Sequence, residues 1–212
     1  MVSFWLLEVL LALAALLVAS QYWYIARDRC LSPSLLVVAG MSLLAMAALV
    51  GAYRYTIDPG VNGLHRILSG LSGQLTFLLS GLALIWVALK PDLGYRSRPP
   101  AYVVLTVATA VAVLLMTDAG PAGRLLSMLG LGAWFATAII GRLRGGLSTL
   151  PACLLACGPV LVVVASLLVG TSHVELLGMP RLNWFHLLLA LAVLTLLCAR
   201  PLFEQRRGEN GW

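Results

Sequence analysis

The chain has 212 residues, of which 61% are hydrophobic and only 10% are charged, and its mean hydropathy is +0.97. A soluble domain carries about a quarter charged residues, so this composition excludes a soluble globular protein and predicts one that is solvated by lipid. The net charge of +6 does not indicate nucleic-acid binding, because the basic residues are spread over several separate loops. We expect membrane lipids as partners and no nucleic acid.

Seven apolar runs follow one another along the chain, each bounded by charged residues, Pro or Gly. They span residues 3–25, 34–55, 64–89, 101–117, 124–142, 149–170 and 184–202. A transmembrane helix needs ~20 apolar residues to cross the ~30 Å hydrocarbon layer, and long runs without alternation are typical of helices. We therefore predict an all-α membrane protein, a bundle of seven transmembrane helices that forms a single domain over residues 1–212.

The basic residues are divided unevenly between the two sides of this predicted bundle. Ten follow the first, third and fifth runs or lie at the C-terminus: Arg27, Arg29, Lys90, Arg96, Arg98, Arg142, Arg144, Arg200, Arg206 and Arg207. Four lie on the other side: Arg54, Arg66, Arg124 and Arg181. Because cytoplasmic loops are enriched in Lys and Arg, we predict a cytoplasmic C-terminus and an outside N-terminus. The expected location is the inner (plasma) membrane of a bacterium.

The third run carries small residues at helical spacing, which predicts close packing against another helix. They are Ser69, Gly73, Thr76, Ser80 and Ala83. Small side chains let membrane helices approach closely, so this face is also a candidate surface for a protein partner or a homo-oligomer. Gln74 lies in the same run and needs a polar partner, which either another helix or a polar cavity could supply.

Aromatic and cysteine residues have simpler interpretations. Tyr22, Trp23 and Tyr24 end the first run, where we expect them to form part of an interfacial aromatic belt. Cys153 and Cys157 are four residues apart and therefore share a helix face. We expect them to be small packing residues between helices, with a soft-metal site as the alternative.

Most of the polar residues that could take part in catalysis or ligand binding lie on the predicted outer side. We call this set the outer cluster: Glu8, Arg54, Asp58, His65, Arg66, Asp118, Arg124, His173, Glu175, Arg181, Asn183 and His186. Glu8 and His186 lie on apolar helices, where an ionisable side chain is costly and normally faces a partner or a wet cavity. Their similar depth permits a contact of Glu8 with His186 or with Arg54.

The outer cluster supports the hypothesis of an outward-facing polar pocket that holds a metal. His186, with His65 or His173 and a carboxylate, would supply the ligand types of a catalytic Zn²⁺ and lower the pKa of a bound water to ~7. Glu8, Asp58 and Asp118 are the candidate catalytic carboxylates, although Asp58 precedes Pro59-Gly60 and is also a typical turn-former. Arg54, Gln74 and Asn183 are candidate ligand-binding residues. The chain contains no HExxH motif.

The seven-run count, the outside N-terminus and the segment Asn183-Trp184-Phe185-His186-Leu187-Leu188 resemble the alkaline ceramidase-like superfamily of seven-helix membrane hydrolases. That superfamily includes adiponectin-receptor-like proteins and uncharacterised bacterial relatives. The resemblance implies zinc held by one His near the second helix and an HxxxH pair in the seventh, and cleavage of amide bonds in lipids. His186 matches the second His of the pair, but Leu182 stands at the first position. Residues 51–55 contain no His, so His65 would have to substitute.

Two classes of function therefore remain open. One is a non-catalytic bundle, namely a subunit, sensor or small-ligand carrier with an outward-facing polar pocket and no cofactor. The alternative is a zinc-dependent hydrolase of lipid amide or ester bonds. A retinal protein is excluded, because the single lysine, Lys90, lies at the end of the third run and cannot form a Schiff base in the seventh.

Overall fold

The computed structural model describes residues 4–29, 32–89, 97–117, 122–172 and 174–204. The chain is almost entirely helical, and each predicted apolar run falls on a helix. The long helices are α1 (Phe4–Arg29), α2 (Ser32–Thr56), α3 (Asn62–Leu89), α4 (Pro99–Thr117), α5 (Ala122–Leu143), α6 (Thr149–Val164) and α7 (Arg181–Leu194). A 3₁₀ turn at Thr195–Ala199 joins α7 to the short helix α8 (Arg200–Glu204), and another at Pro59–Val61 precedes α3. Strands β1 (Glu175–Leu176) and β2 (Met179–Pro180) form a small antiparallel hairpin before α7.

The fold class, an all-α membrane protein, is confirmed by the length and composition of these helices. Within the described residues, six helical segments are long and apolar enough to cross a membrane: Trp5–Arg27, Ser32–Thr56, Pro59–Leu89, Arg124–Leu143, Thr149–Val169 and Arg181–Glu204. The apolar part of α4, Pro99–Leu115, is shorter than these six. A seventh crossing and the orientation of the termini therefore stay predictions.

Six of the helices form a closed ring. Each packs on the next in the order α1, α2, α3, α5, α6, α7, and α7 packs back on α1. The fourth helix lies against the outside of this ring, where it contacts mainly α3 and also α2 and α5. The ring has two ends, which we name the Glu8 end and the Tyr22 end after residues near the start and the finish of α1.

The Tyr22 end of the ring is filled by large side chains. Trp134, Tyr22 and Phe203 are fully buried there. The Tyr22 hydroxyl donates a hydrogen bond of 2.8 Å to the Leu196 carbonyl, and its ring meets Phe203 edge-on at 5.0 Å between centroids. The prediction that Tyr22 belongs to an interfacial belt is thus wrong, because its polar tip has a backbone partner inside the bundle. Trp23 and Tyr24, in contrast, are exposed on the surface of α1.

Some of the small residues of α3 pack against other helices of the same chain. Thr76, Ser80 and Ala83 are fully buried, and the Thr76 hydroxyl donates to the Gly40 carbonyl of α2 at 3.1 Å. This part of the face is therefore occupied by the chain's own helices, whereas Ser69 and Gly73 are exposed.

The prediction for the cysteines is wrong, since Cys153 and Cys157 are exposed on α6 and do not pack between helices.

A closer helix contact joins α3 to α5 at two glycines. A Cβ atom on Gly81 would overlap the Gly130 carbonyl, and one on Gly130 would overlap the Phe77 carbonyl. The two backbones touch because no side chain separates them, which is the way in which small residues drive association in lipid. The spacing of small residues predicted a packing face on α3, but it did not single out this pair.

The sixth helix changes its geometry next to the Glu8 end. Pro159 lies inside α6, and the chain continues as a π-helical turn at Ala165–Val169, which the Gly170 amide closes by donating to Ala165 at 2.9 Å. Gly170 has φ of +70°, which glycine adopts without strain. Such turns are frequent at functional sites, and Ser166 and Leu167 of this one line the cavity described below while remaining exposed at the surface.

The α3–α5 contact yields a stability prediction. We expect Gly130→Ala to lower the free energy of unfolding by about 1–3 kcal/mol, because the new methyl group must push two backbones apart. The control is Gly132→Ala, whose Cβ meets nothing within 4 Å. It should be neutral or stabilising by up to ~1 kcal/mol through helix propensity. Denaturant unfolding in detergent measures both, and equal stability of the two variants would contradict the packing argument.

Candidate functional site

The Glu8 end of the ring contains a half-open cavity of about 1080 Å³. Each of the six ring helices contributes lining residues, and Leu115 of α4 reaches it from outside the ring. Pockets for small ligands typically measure ~300–1,000 Å³, so this space is at the upper end of that range. Its charged and imidazole side chains are Glu8, Arg54, His65, Arg66, Arg124 and His186.

A carboxylate–imidazole pair lies on the wall of the cavity, where α7 meets α1. Glu8 is 3% exposed and His186 is 8% exposed, and Glu8 Oε1 lies 3.5 Å from His186 Nε2. Both residues sit near the starts of their helices, so the packing of α7 on α1 brings them to the same depth. The contact allowed by the sequence is therefore present. A buried ionisable group in a membrane helix is costly, and each partner offsets part of that cost for the other.

Gly51 of α2 lies directly against the Glu8 carboxylate. A Cβ atom at position 51 would lie 2.6 Å from Glu8 Oε1, so the carboxylate lies directly against the α2 backbone and would have to shift if position 51 carried a side chain. Sequence reasoning did not find this role, because a glycine in an apolar run is an ordinary packing residue. The site thus joins three helices, with Glu8 from α1, Gly51 from α2 and His186 from α7.

Arg54 is held in place at the end of α2. Its Nη1 donates to Asn62 Oδ1 at 2.9 Å, and its guanidinium carbon lies 4.3 Å from the centre of the Tyr55 ring. Neither contact is with a carboxylate, and the Arg54 charge interacts with the Glu8 carboxylate only at longer range than an ion pair. Arg54 and Tyr55 both line the cavity, and the ligand-binding role of Arg54 stays a prediction.

His65 and Gln74 of α3 reach the same cavity. His65 is half-buried and lies 3.4 Å from the Ser69 hydroxyl, one helical turn further along. Gln74 is half-buried, and among the described residues its Oε1 has no hydrogen-bond partner. Gln74 thus lines the cavity, but the polar partner expected for its amide oxygen is not among the described residues.

Other predicted site residues lie elsewhere. Asp58 is exposed and does not line the cavity, and its carboxylate accepts a hydrogen bond of 2.7 Å from the Gly60 amide. Its role as a turn-former is thus the one that the structure supports. Asn183 is fully buried in the first turn of α7 and does not line the cavity either. Asp118 and His173 fall outside the described residues.

The zinc hypothesis gains no support from the arrangement of these side chains. In the described parts of the chain, no three His, Cys, Asp or Glu residues are grouped so that they could hold a metal ion. Glu8, His65 and His186 share the cavity but do not form such a group. A zinc site that involves His173 or Asp118 stays a prediction.

Several lining residues were not predicted as parts of a site. Hydroxyl groups of Ser72, Ser127, Ser166 and Thr171 line the cavity beside the charged residues. Scattered serines in apolar helices give no signal in a single sequence, since they are common packing residues. Arg66 and Arg124 also line the cavity. The sequence had placed both in the outer cluster because of the side of the bundle on which they lie.

No protein-family model matches the chain, and no curated protein or solved structure is significantly similar to it. The resemblance to the alkaline ceramidase-like superfamily therefore stays a prediction that rests on the sequence.

The Glu8–His186 pair yields a prediction about coupling. Glu8→Gln and His186→Gln should each lower the free energy of unfolding by about 1 kcal/mol, because a neutral amide replaces one member of the ionisable pair and keeps only a weaker hydrogen bond to the other. The double variant should lose less than the sum, with a coupling energy of ~1 kcal/mol, the scale of polar contacts between membrane helices.

The matched control replaces the half-buried histidine of the same cavity. His65→Gln should change the free energy of unfolding by no more than ~0.5 kcal/mol and show no coupling to Glu8→Gln. The free energy of unfolding of each variant is measured in mixed detergent micelles, and the values for the single and double variants form a double-mutant cycle. Additive losses for Glu8 and His186 would show that the two side chains do not stabilise each other.

Proposed function

We propose that the protein is a non-catalytic membrane bundle that binds a small amphiphilic molecule in the cavity at the Glu8 end, as a carrier or a sensor does. The observation that carries this proposal is the cavity itself, about 1080 Å³ in volume and lined by every helix of the ring. A space of this size, lined by both apolar and charged side chains, is typical of a ligand pocket.

The composition of the cavity wall supports binding of a molecule with both polar and apolar parts. Buried apolar residues such as Leu11, Leu44 and Phe77 form one part of the wall, and charged residues form another. Ligand sites typically combine an apolar lining with a few polar groups that fix the orientation of the ligand.

The Glu8–His186 pair has a structural use that a non-catalytic bundle accounts for without a reaction. His186 Nε2 faces Glu8, and Nδ1 is buried without a partner among the described residues. The pair spans the junction of the first and last ring helices, which is a structural use of two ionisable residues. Zinc-dependent hydrolysis remains the alternative prediction.

The charge distribution supports an orientation in which the cavity faces the outside of the cell. Arg54, Arg66 and Arg124 are three of the four basic residues on their side of the bundle. The other side carries ten, which favours the cytoplasm for the Tyr22 end.

Two tryptophan variants test whether the cavity is a binding site. Gly73 lines the cavity and Gly132 does not, and a Cβ atom at either position meets nothing within 4 Å. We expect Gly73→Trp to fill the cavity and weaken amphiphile binding at least tenfold, equal to ~1.4 kcal/mol. Gly132→Trp should bind as the original chain does, because its indole extends from the exposed face of α5.

The measurement compares amphiphiles that remain with each protein after purification in detergent, by solvent extraction and mass spectrometry. Lipids on the outer surface of the bundle are common to both variants and cancel in the comparison. Equal amounts of every amphiphile in both variants would contradict the proposal.

A further inference from the structure

Positive charge is in excess around the cavity. Arg54, Arg66 and Arg124 line it from α2, α3 and α5, whereas Glu8 supplies the one carboxylate among the described lining residues. That carboxylate lies beside His186. In the described part of the chain, no carboxylate lies within ion-pair distance of the three guanidinium groups. Arginine pairs with phosphate and carboxylate groups through paired hydrogen bonds, so an anionic group fits this end of the cavity.

The cavity extends far beyond the arginines into apolar surroundings. Leu44 precedes Arg54 by ten residues, Phe77 follows Arg66 by eleven, and all four of these residues line the cavity. At a rise of ~1.5 Å per residue, the apolar part lies about 15 Å or more along the helices from the charged part. A free inorganic anion would leave this length unmatched, whereas an alkyl chain would fill it.

The cavity also reaches the lateral surface of the bundle between α5 and α6. Met128 of α5 is 60% exposed, and Leu167 of the π-helical turn is 73% exposed, yet both line the cavity. Val163 of α6, which is 42% exposed, also lines the cavity. Exposed apolar side chains on membrane-spanning segments face lipid, so this opening connects the cavity to the lipid.

We propose that the ligand is an anionic amphiphile that enters sideways from the lipid between α5 and the π-helical turn. Its phosphate or carboxylate group binds Arg54, Arg66 and Arg124, and its alkyl chain lies along Leu44 and Phe77. This inference rests on the proposed binding function and names the chemical class of the ligand for that site.

The first experiment measures head-group recognition by native mass spectrometry of the full chain released from a neutral detergent. The probes are tetradecyl phosphate, 1-tetradecanol with the same chain and no charge, and inorganic phosphate with the charge and no chain. We expect tetradecyl phosphate to bind, and the triple variant Arg54→Gln, Arg66→Gln, Arg124→Gln to weaken its binding at least tenfold, equal to ~1.4 kcal/mol. Arg142→Gln, at the opposite end of α5 from Arg124, is exposed and should leave binding unchanged.

The outcomes distinguish failure of the anionic-ligand proposal from failure of the proposed binding function. Equal binding of tetradecanol and tetradecyl phosphate would overturn the anionic ligand but leave the binding cavity standing. Competition by inorganic phosphate as strong as by tetradecyl phosphate would overturn the amphiphile in favour of a free anion. If no probe binds and Gly73→Trp also retains every amphiphile, both proposals fail. The single variants Arg66→Gln and Arg124→Gln, both at exposed positions, repeat the test should the triple variant not fold.

The second experiment tests the lateral route with two neighbouring residues. Leu167 and Leu168 are each 73% exposed, but only Leu167 is among the cavity-lining residues. We expect Leu167→Trp to slow the uptake of tetradecyl phosphate from loaded phosphatidylcholine vesicles at least severalfold, since the indole narrows the opening. Leu168→Trp should take up the probe at the original rate. Equal rates in both variants would overturn the lateral route and leave the anionic ligand standing.

Discussion

The packing of α7 against α1 is the interaction on which the rest of the site depends. It closes six helices into a ring, and without it the cavity at the Glu8 end would lack one wall. Apolar surface gives no driving force between helices in lipid, so such a closure relies on close packing and on polar contacts. The Glu8–His186 contact at 3.5 Å supplies a polar contact at this junction, and Gly51 of α2 accommodates it.

The two ends of the ring differ because their residues differ in size. At the Tyr22 end, the large side chains of Trp134, Tyr22 and Phe203 are fully buried. At the Glu8 end the wall includes small residues such as Ala47, Ala48 and Gly73. Near the middle, in contrast, Gly81 and Gly130 bring α3 and α5 into direct contact. Small residues therefore have opposite effects in this fold, since they close the ring where backbones meet and leave space where no neighbour fills it.

The electrostatics of the cavity follow from which residues have partners. Glu8 and His186 are buried together, so the cost of burying each is partly offset by the other. The three arginines carry charge that no described carboxylate neutralises, and they line one continuous space with apolar residues. Charge interactions are stronger at low dielectric than in water, so an anionic group in this space would gain more from the arginines than it would at an open surface.

The sequence by itself determined the class of protein and the helices. Six of the apolar runs lie on helices long enough to span lipid, and the hydrocarbon layer requires every backbone group to be bonded within its own segment. It also placed Glu8, Arg54, His65 and His186 on one side of the bundle, since depth follows from distance to the helix ends. Only the tertiary structure decided which helices meet, that α4 lies outside the ring, and that Asp58 and Asn183 stay out of the cavity. The physical reason is that lipid is as apolar as the interior of the bundle, so hydrophobic patterning does not mark the faces that pack together.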